Sequence, residues 1–304
     1  MIISASRRTD IPAYYSKWFV NRLKEKYVLV PNPYNKKRLS YISLSPDIVD
    51  CIVFWTKNPS PIIAELDRIT EAGYSFYFQF TLTPYGRDME PALPPKHRLV
   101  ETFLKLSAKI GPERVVWRYD PVIINENLTL GYHLEQFGRM CGMLSGATKR
   151  CIISFIDTYR TGFRDMGESE ILTIADGFSK TASRYGIKLF TCAEKINLAR
   201  FGIGHASCID KGLIEHIIGC RINAEKDSGQ RPACGCIESI DIGSYDTCPC
   251  GCRYCYAVRS RKAALINNKK HSPHSPVMSG ALMGNEIIKK RVCISQKTGQ
   301  LSLY

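Results

Sequence analysis

Short apolar runs alternate with longer amphipathic stretches along most of this chain. Six runs, rich in β-branched and aromatic residues, predict buried strands. They lie at residues 2–6, 51–56, 76–83, 114–118, 151–156 and 187–191. Between several of them, apolar residues recur every three or four positions, as at Leu99, Phe103, Leu106 and Ile110, which predicts amphipathic helices. This alternation is typical of an α/β protein with a parallel sheet.

Three further segments complete the expected architecture. Residues 27–31 and 40–44 flank a turn-rich stretch and predict a hairpin, and residues 238–242 predict one more strand. We therefore expect an α/β fold of the (β/α) barrel type, formed by residues 1–266 as a single domain. Residues 267–304 lack strong periodicity, and we expect them to form a basic C-terminal extension with one short helix near Glu286.

The most informative motif is the spacing CxxxCxxC formed by Cys248, Cys252 and Cys255. With 13 cysteines in 304 residues, this spacing would arise by chance about 0.02 times per chain. Three thiolates on one short loop can surround a metal centre, and soft sulfur ligands favour iron–sulfur clusters, zinc or Cu(I). A disulfide framework is disfavoured because the cysteine count is odd and the chain is long enough to bury a core.

Two interpretations of this loop stay open. With Cys250 as a fourth sulfur, the loop could close a tetrahedral zinc or iron–sulfur site, although structural zinc usually takes ligand pairs from two separate segments. With three cysteines, a [4Fe-4S] cluster keeps one iron open for a small molecule. The first interpretation predicts a non-catalytic metal-binding protein, and the second predicts an enzyme.

A second group of cysteines precedes this loop. Its members, Cys192, Cys208, Cys234 and Cys236, could hold an auxiliary [4Fe-4S] cluster or zinc. The alternative is four buried thiols, because free cysteine is among the most buried residue types. The Cys-Gly-Cys sequence at 234–236 favours the ligand interpretation.

The cysteine loop also carries a resemblance to known proteins. An aromatic residue before the third cysteine, here Tyr254, makes the motif similar to the signature of radical S-adenosylmethionine enzymes. The segments IISASRRTDIPAYYS, VDCIVFWTKNP, FQFTLTPYG, WRYDP and QRPACGCIESIDIGSYDTCPCGCRYCYA resemble the bacterial domain-of-unknown-function 1848 family over essentially the whole chain.

The resemblance implies a cofactor class. It implies a [4Fe-4S] cluster on Cys248, Cys252 and Cys255, S-adenosylmethionine on the open iron, and Tyr254 near the adenine. Reductive cleavage would then generate a 5′-deoxyadenosyl radical that acts on a substrate the resemblance does not name. A reductant such as flavodoxin or ferredoxin would be a partner.

The position of the motif implies an altered strand order. In most radical S-adenosylmethionine enzymes the cysteine loop follows the first strand, whereas here it lies at residues 248–255. We expect a permuted barrel, in which residues 238–242 lie beside the first strand and a helix over 256–268 follows the loop.

Charged residues follow several predicted strands, where barrel enzymes carry their active-site groups. We expect Lys57, Arg118 and Asp120 to be catalytic or to bind a carboxylate, phosphate or ribose, and the alternative is a salt bridge at the barrel mouth. Arg7 and Arg8 follow the first strand, where they could bind the cofactor carboxylate bidentately.

Charge is concentrated at the end of the chain. The formal net charge is +14, and residues 257–304 hold nine Lys/Arg against one acid, Glu286, which gives +8. Nucleic acid, as for spore photoproduct lyase-like repair enzymes, is therefore one candidate substrate, and a small molecule or peptide in the barrel is the other. No apolar run approaches the ~18 residues of a membrane span, so we expect no membrane partner. Thirteen cysteines without secretory features predict the cytoplasm.

Overall fold

The computed structural model describes residues 1–156 and 162–301. The strands in these residues are β1 (Ile2–Ala5), β2 (Tyr27–Pro31), β3 (Arg38–Ser43), β4 (Cys51–Thr56), β5 (Phe76–Thr81), β6 (Val115–Val122), β7 (Arg150–Phe155), β8 (Lys188–Cys192), β9 (Gly204–Ala206), β10 (Cys220–Ile222), β11 (Ile240–Asp241), β12 (Ile287–Lys290) and β13 (Lys297–Leu301). Eight of them form one parallel sheet in the order β11-β1-β4-β5-β6-β7-β8-β9. The predicted α/β class and parallel sheet are confirmed.

Helices connect most of the central strands. They are α1 (Ile11–Tyr14), α2 (Ser16–Glu25), α3 (Ser60–Ile63), α4 (Leu66–Glu71), α5 (Lys96–Ile110), α6 (Leu130–Leu144), α7 (Glu168–Arg184), α8 (Lys211–Ile218) and α9 (Arg261–Lys269). Short 3₁₀ turns lie at Pro112–Arg114 and Ala199–Phe201. The helix predicted over 256–268 begins later, at Arg261, because the Ser260 hydroxyl caps it by accepting the amide of Ala263 at 3.2 Å.

The two faces of the sheet support different cores, because side chains alternate along each strand. In β5, Phe76, Phe78 and Phe80 join the core beneath α2, α5, α6 and α7. Tyr77 points to the other face and joins a second core. That second core is completed by residues 208–237, which include α8 and β10. The segment between β9 and β11 therefore covers one face of the sheet.

The sheet is not a closed barrel. Its ends are β9 and β11, and these two strands do not pair with each other. Both are short, since β9 has three residues and β11 has two, and the chain between them packs on the sheet instead of extending it. The barrel-like part of the prediction is correct only in the parallel strands and flanking helices.

The predicted neighbourhood of the first strand is confirmed. Ile240 and Asp241 of β11 pair in parallel with Ile3 and Ser4 of β1. The Asp241 carboxylate also accepts the Ser4 hydroxyl at 3.0 Å and the Arg7 amide at 2.8 Å. The strand that leads into the cysteine loop thus lies at the edge of the sheet beside β1.

The last residues pair with the rest of the molecule. The predicted hairpin is confirmed as β2 and β3, and β12 adds to β3 in parallel. The short helix expected near Glu286 is wrong, because β12 begins at Ile287 and takes its backbone partners from β3. Strand β13 pairs with β10, and Trp18 Nε1 donates to the Ser275 carbonyl at 2.9 Å. Within residues 1–156 and 162–301, no helix is long and apolar enough to cross a membrane.

Candidate metal and cofactor site

The cysteine loop (residues 248–255) begins shortly after β11, at the carboxyl end of that strand. Because β11 is parallel to its neighbours, the loop lies at the same edge of the sheet as the polar residues that end β1, β4 and β6. Two hydrogen bonds anchor it. The Tyr15 hydroxyl donates to the Thr247 carbonyl at 2.6 Å, and the Arg253 amide donates to the Met89 carbonyl at 3.0 Å.

The three motif cysteines, Cys248, Cys252 and Cys255, are half-buried. Burial raises the pKa of the Cys248 and Cys255 thiols. The pKa of Cys252 is instead lowered, because Cys250 donates a hydrogen bond to its sulfur and the Lys57 ammonium lies nearby. Since the thiolate is the form that binds metals, Cys252 is the member of the motif most ready to act as a ligand.

Cys250 lies on the core side of the loop. It is buried, and its Sγ is 3.4 Å from the Sγ of Cys252. The contact with Cys252 and burial raise the Cys250 pKa far above its usual value, so Cys250 is the protonated donor of this pair. Its position suits a packed thiol, and its contact with Cys252 also leaves it within reach of a metal on the loop.

A buried polar trio supports the loop from the side of β4. Lys57 Nζ donates to Glu90 Oε1 and to the Tyr254 hydroxyl, each at 2.8 Å. The Tyr254 hydroxyl donates in turn to Glu90, and Lys96 forms a second ion pair with the same carboxylate. The Tyr254 ring packs edge-on against Tyr85, with 5.7 Å between ring centroids. The sequence predictions for Lys57 and Tyr254 therefore meet in one hydrogen-bonded group beside the cysteines.

Glu90 is the residue of this group that no sequence signal singled out. It lies in a turn-rich stretch between β5 and α5, and its burial arises only from tertiary packing. Burial alone would raise its pKa, but the ammonium groups of Lys57 and Lys96 lower it to about 2. Lys57 keeps its charge in the same way, because Glu90 outweighs the effect of burial and raises the Lys57 pKa.

Asp10 is a second buried carboxylate near the loop. Its Oδ1 accepts the Ala13 amide at 3.0 Å, and its Oδ2 accepts the Lys57 amide at 2.7 Å. Burial raises its pKa to about 6, and its charge contributes to the raised pKa of Cys248. The side chain thus joins the start of α1 to the residue that follows β4. Its position directly after the first strand was the signal that could have identified it.

Arg118 and Asp120 form an ion pair in the carboxyl half of β6. Arg118 Nε donates to Asp120 Oδ2 at 3.0 Å, and Ser154 donates to the other carboxylate oxygen. Arg118 Nη1 also donates to the Sγ of Cys208 at 2.7 Å. Arg118 is buried, whereas the Asp120 side chain is 22% exposed. Of this predicted pair, Asp120 is the one that solvent or a small molecule can reach.

Arg7 and Arg8 lie in different environments. The guanidinium carbon of Arg7 is 5.3 Å from the centre of the Trp55 ring, and that of Arg118 is also 5.3 Å from it. Arg8 lies over the Tyr245 ring at 5.2 Å, with its Nε 3.9 Å from Asp241. Arg7 therefore points toward the second cysteine group, while Arg8 lies beside the chain that enters the loop.

The fold brings the second cysteine group together. Its members come from the end of β8, the segment after β9, and the stretch before β11; they are Cys192, Cys208, Cys234 and Cys236. The sulfurs of Cys192 and Cys208 are 3.0 Å apart. Across residues 1–156 and 162–301, however, no three His, Cys, Asp or Glu side chains are already arranged around one metal position.

Comparison with known proteins yields one match. The profile of a family described as "Domain of unknown function (DUF1848)" matches residues 2–257, a span that includes the cysteine loop and every predicted site residue. No curated protein and no solved structure matches the chain.

Proposed function

This chain belongs to the DUF1848 family, and we propose that it is a radical S-adenosylmethionine enzyme that binds a [4Fe-4S] cluster through Cys248, Cys252 and Cys255. The observation that carries the proposal is the position of the loop. Its three thiols lie at the carboxyl edge of a parallel sheet, directly after a strand that pairs with β1, and beside a buried lysine, carboxylate and tyrosine. That is the edge where α/β enzymes place their ligands.

The donor set fits such a cluster chemically. Three soft sulfur ligands lie on one loop of eight residues, partly shielded from water. Three thiolates and a [4Fe-4S]²⁺ core sum to a charge of about −1. The Lys57 ammonium lies close enough to Cys252 to lower its pKa and would offset this charge.

Cys248, Cys252 and Cys255 would hold the cluster, which with S-adenosylmethionine would supply one-electron reductive cleavage of that cofactor to methionine and a 5′-deoxyadenosyl radical. The protein residues hold the reactants and exclude water. Glu90 keeps Lys57 protonated, and Tyr254, through its hydroxyl, ties the loop to both. Because Tyr254 is buried and its hydroxyl is hydrogen-bonded, its role is to position the loop.

Asp120 is the residue we assign to the substrate. Arg118 orients its carboxylate from the buried side, and its partial exposure lets an oxygen accept a hydrogen bond from a hydroxyl or amine. Arg118 itself is a positioning residue, since its donors are directed at Asp120 and Cys208. Arg8, which is half-exposed near Gly243, is better placed than Arg7 to meet a carboxylate in the cleft.

Nucleic acid is the substrate class favoured by the surface. All nine Lys/Arg of residues 257–301 are exposed; Arg259 pairs with Asp246, and the other eight are the candidates for phosphate contacts. The affinity for single- or double-stranded DNA and for RNA should fall steeply with salt, with a slope near −0.9 per phosphate contact on duplex DNA. Weak affinity that does not change between low and high salt would exclude nucleic acid and leave a small molecule or peptide.

The experiment that tests the enzyme is anaerobic reconstitution. The protein is loaded with iron and sulfide, reduced with dithionite or reduced flavodoxin, mixed with S-adenosylmethionine and assayed for 5′-deoxyadenosine. We expect the nucleoside from the native chain and from the control Cys293→Ser, and none from Cys252→Ser. Absence of the nucleoside, with zinc retained in place of iron, would support the competing function, a closed metal site in which Cys250 is the fourth ligand.

A further inference from the structure

The fold gathers the second cysteine group into one cluster. The Sγ atoms of Cys192 and Cys208 are 3.0 Å apart, the Sγ of Cys236 accepts the amide of Ile209, which follows Cys208, and Cys234 packs in the same core. The members are far apart in sequence and reach this place from three connections. Cysteines that only fill the core would not need to come together from three separate connections.

The isolated thiols of this protein provide the comparison. Cys51 and Cys141 are fully buried, and burial raises the pKa of each to about 12, as expected for inert core cysteines. Cys236 differs because its Sγ accepts the amide of Ile209 at 3.3 Å. Cys208 differs because its Sγ accepts a guanidinium N–H from Arg118 at 2.7 Å. A guanidinium and a backbone amide directed at sulfur are contacts that a metal-bound thiolate also accepts.

Two guanidinium groups lie beside this cluster, that of the buried Arg118 and that of the half-buried Arg7. Arg118 contacts Cys208 directly, and the guanidinium carbons of Arg7 and Arg118 each lie 5.3 Å from the centre of the Trp55 ring. Arg7 Nη2 is buried, and no hydrogen-bond acceptor for it is found among the described residues. A buried guanidinium needs negative charge nearby, and the Asp120 carboxylate already pairs with Arg118. Four thiolates around a centre of charge +2 would supply about −2.

Two of the sulfurs would have to move apart to share one metal ion. Two sulfurs on one zinc ion lie about 3.8 Å apart, given bonds of about 2.3 Å and a tetrahedral angle. The contact of 3.0 Å between Cys192 and Cys208 is therefore too short for two ligands of one metal, and the sulfurs would have to separate. Gly235 lets the Cys-Gly-Cys segment pass close to Ser207, since a Cβ at 235 would lie 2.6 Å from the Ser207 hydroxyl.

We propose that Cys192, Cys208, Cys234 and Cys236 bind a second metal centre held by four thiolates. The bound centre is thiophilic and has a charge of +2, and it is either one Zn²⁺ ion or one [4Fe-4S]²⁺ cluster. Because all four ligands come from the protein, the centre is closed. It lies near the first site, since the Tyr256 hydroxyl, next to Cys255, donates to the Arg7 carbonyl at 2.9 Å. The proposal does not depend on the radical enzyme function.

The test counts metal in a chain whose first site has been removed. Cys248→Ser/Cys252→Ser/Cys255→Ser is purified and reconstituted anaerobically with iron, sulfide and zinc, and metals and sulfide are measured per folded chain. We expect about one zinc, or about four irons with four sulfides. The zinc outcome identifies a single ion and the iron outcome a cluster. A metal-free but folded chain would overturn the proposal.

A second variant locates the retained metal. Adding Cys234→Ser/Cys236→Ser should remove it entirely, while adding Cys220→Ser/Cys293→Ser, two half-buried cysteines outside both groups, should leave it. If the variant that also carries Cys234→Ser/Cys236→Ser fails to fold, X-ray absorption spectroscopy at the metal edge is measured on Cys248→Ser/Cys252→Ser/Cys255→Ser instead. Four sulfur ligands would support the site, and nitrogen or oxygen ligands would refute it. If the chain is not a radical enzyme, the metal content of the second cysteine group is unaffected. The enzyme proposal and the second-site proposal can therefore be refuted independently.

Discussion

Replacing Glu90 with glutamine should destabilise the protein strongly. The carboxylate is buried and accepts hydrogen bonds from Thr83, Lys57, Lys96 and Tyr254. Glutamine keeps the shape of the side chain but removes its charge, so two ammonium groups lose their buried counter-charge. Removing one partner of a buried ion pair typically costs about 3–5 kcal/mol.

The structure gives a similar magnitude from the pKa. The Glu90 pKa falls from its usual 4.5 to about 2, and at about 1.36 kcal/mol per pKa unit this is about 3 kcal/mol of stability. Because the folded-state pKa is depressed, this contribution is complete above the unfolded-state pKa and is lost as pH falls through the folded-state value. We therefore expect Glu90→Gln to lose about 3 kcal/mol at neutral pH, with the difference shrinking from about pH 5 to about pH 2.

Urea unfolding of the metal-free, reduced protein, followed by circular dichroism at several pH values, measures this difference. Glu101→Gln is the matched control, because Glu101 pairs with Arg98 at 3.1 Å on the surface of α5. Exposed pairs contribute about 0–1 kcal/mol, so the control should remain close to the native chain. A loss below about 1 kcal/mol for Glu90→Gln at neutral pH, or an equal loss at pH 7 and pH 3, would refute the reasoning.

Three further predictions concern the loop and its support. Cys250→Ser should keep the iron of the first site while Cys252→Ser loses about four irons, and equal losses would indicate a closed four-sulfur site. The Asp10 carboxyl should titrate near pH 6 in carbon-13 spectra of labelled protein. Because its folded-state pKa is raised, its contribution to stability is lost as pH rises through that value. A titration midpoint below 4.5 would contradict the argument that burial raises this pKa. Gly243→Ala should lower the thermal unfolding midpoint, because the new Cβ would lie 2.1 Å from the Ser6 hydroxyl and overpacking of this kind costs about 1–3 kcal/mol. An unchanged midpoint would show that the backbone at Ser6 or Gly243 shifts to accommodate the methyl group.

The local sequence pattern predicted the central strands of the sheet but not the strands at its edges. Strands such as β4 and β5 are continuous apolar runs, because both of their faces are buried, and this signal is visible in any short window. Strands β9 and β12 have mostly exposed side chains, and they are strands only because a neighbour supplies hydrogen bonds. Closure of a barrel depends on such edges, which explains why the expected barrel is an open sheet.

The site shows the same division. Lys57, Arg118 and Asp120 were identifiable because they lie at or just after the ends of predicted apolar runs, although β6 continues past Asp120 to Val122. Glu90 carries no such signal, yet it contacts Lys57, Lys96 and Tyr254 at once. Its role depends on the path of the connection between β5 and α5, which no periodicity encodes. The cysteines were visible by spacing, but whether Cys250 faces the core or the cleft required the fold.

The matched family segment ends at residue 257, but the support of the cysteine loop does not. Asn268 of α9 donates to the Tyr15 hydroxyl at 3.1 Å, and that hydroxyl donates to the Thr247 carbonyl at 2.6 Å, directly before the first cysteine. Asn267 donates to the Asp246 carbonyl at 2.8 Å. These bonds satisfy backbone groups on both residues that lead into the loop, and a buried backbone carbonyl without a partner is costly. The geometry of the loop is therefore set jointly by the strand before it and by a helix beyond the matched segment.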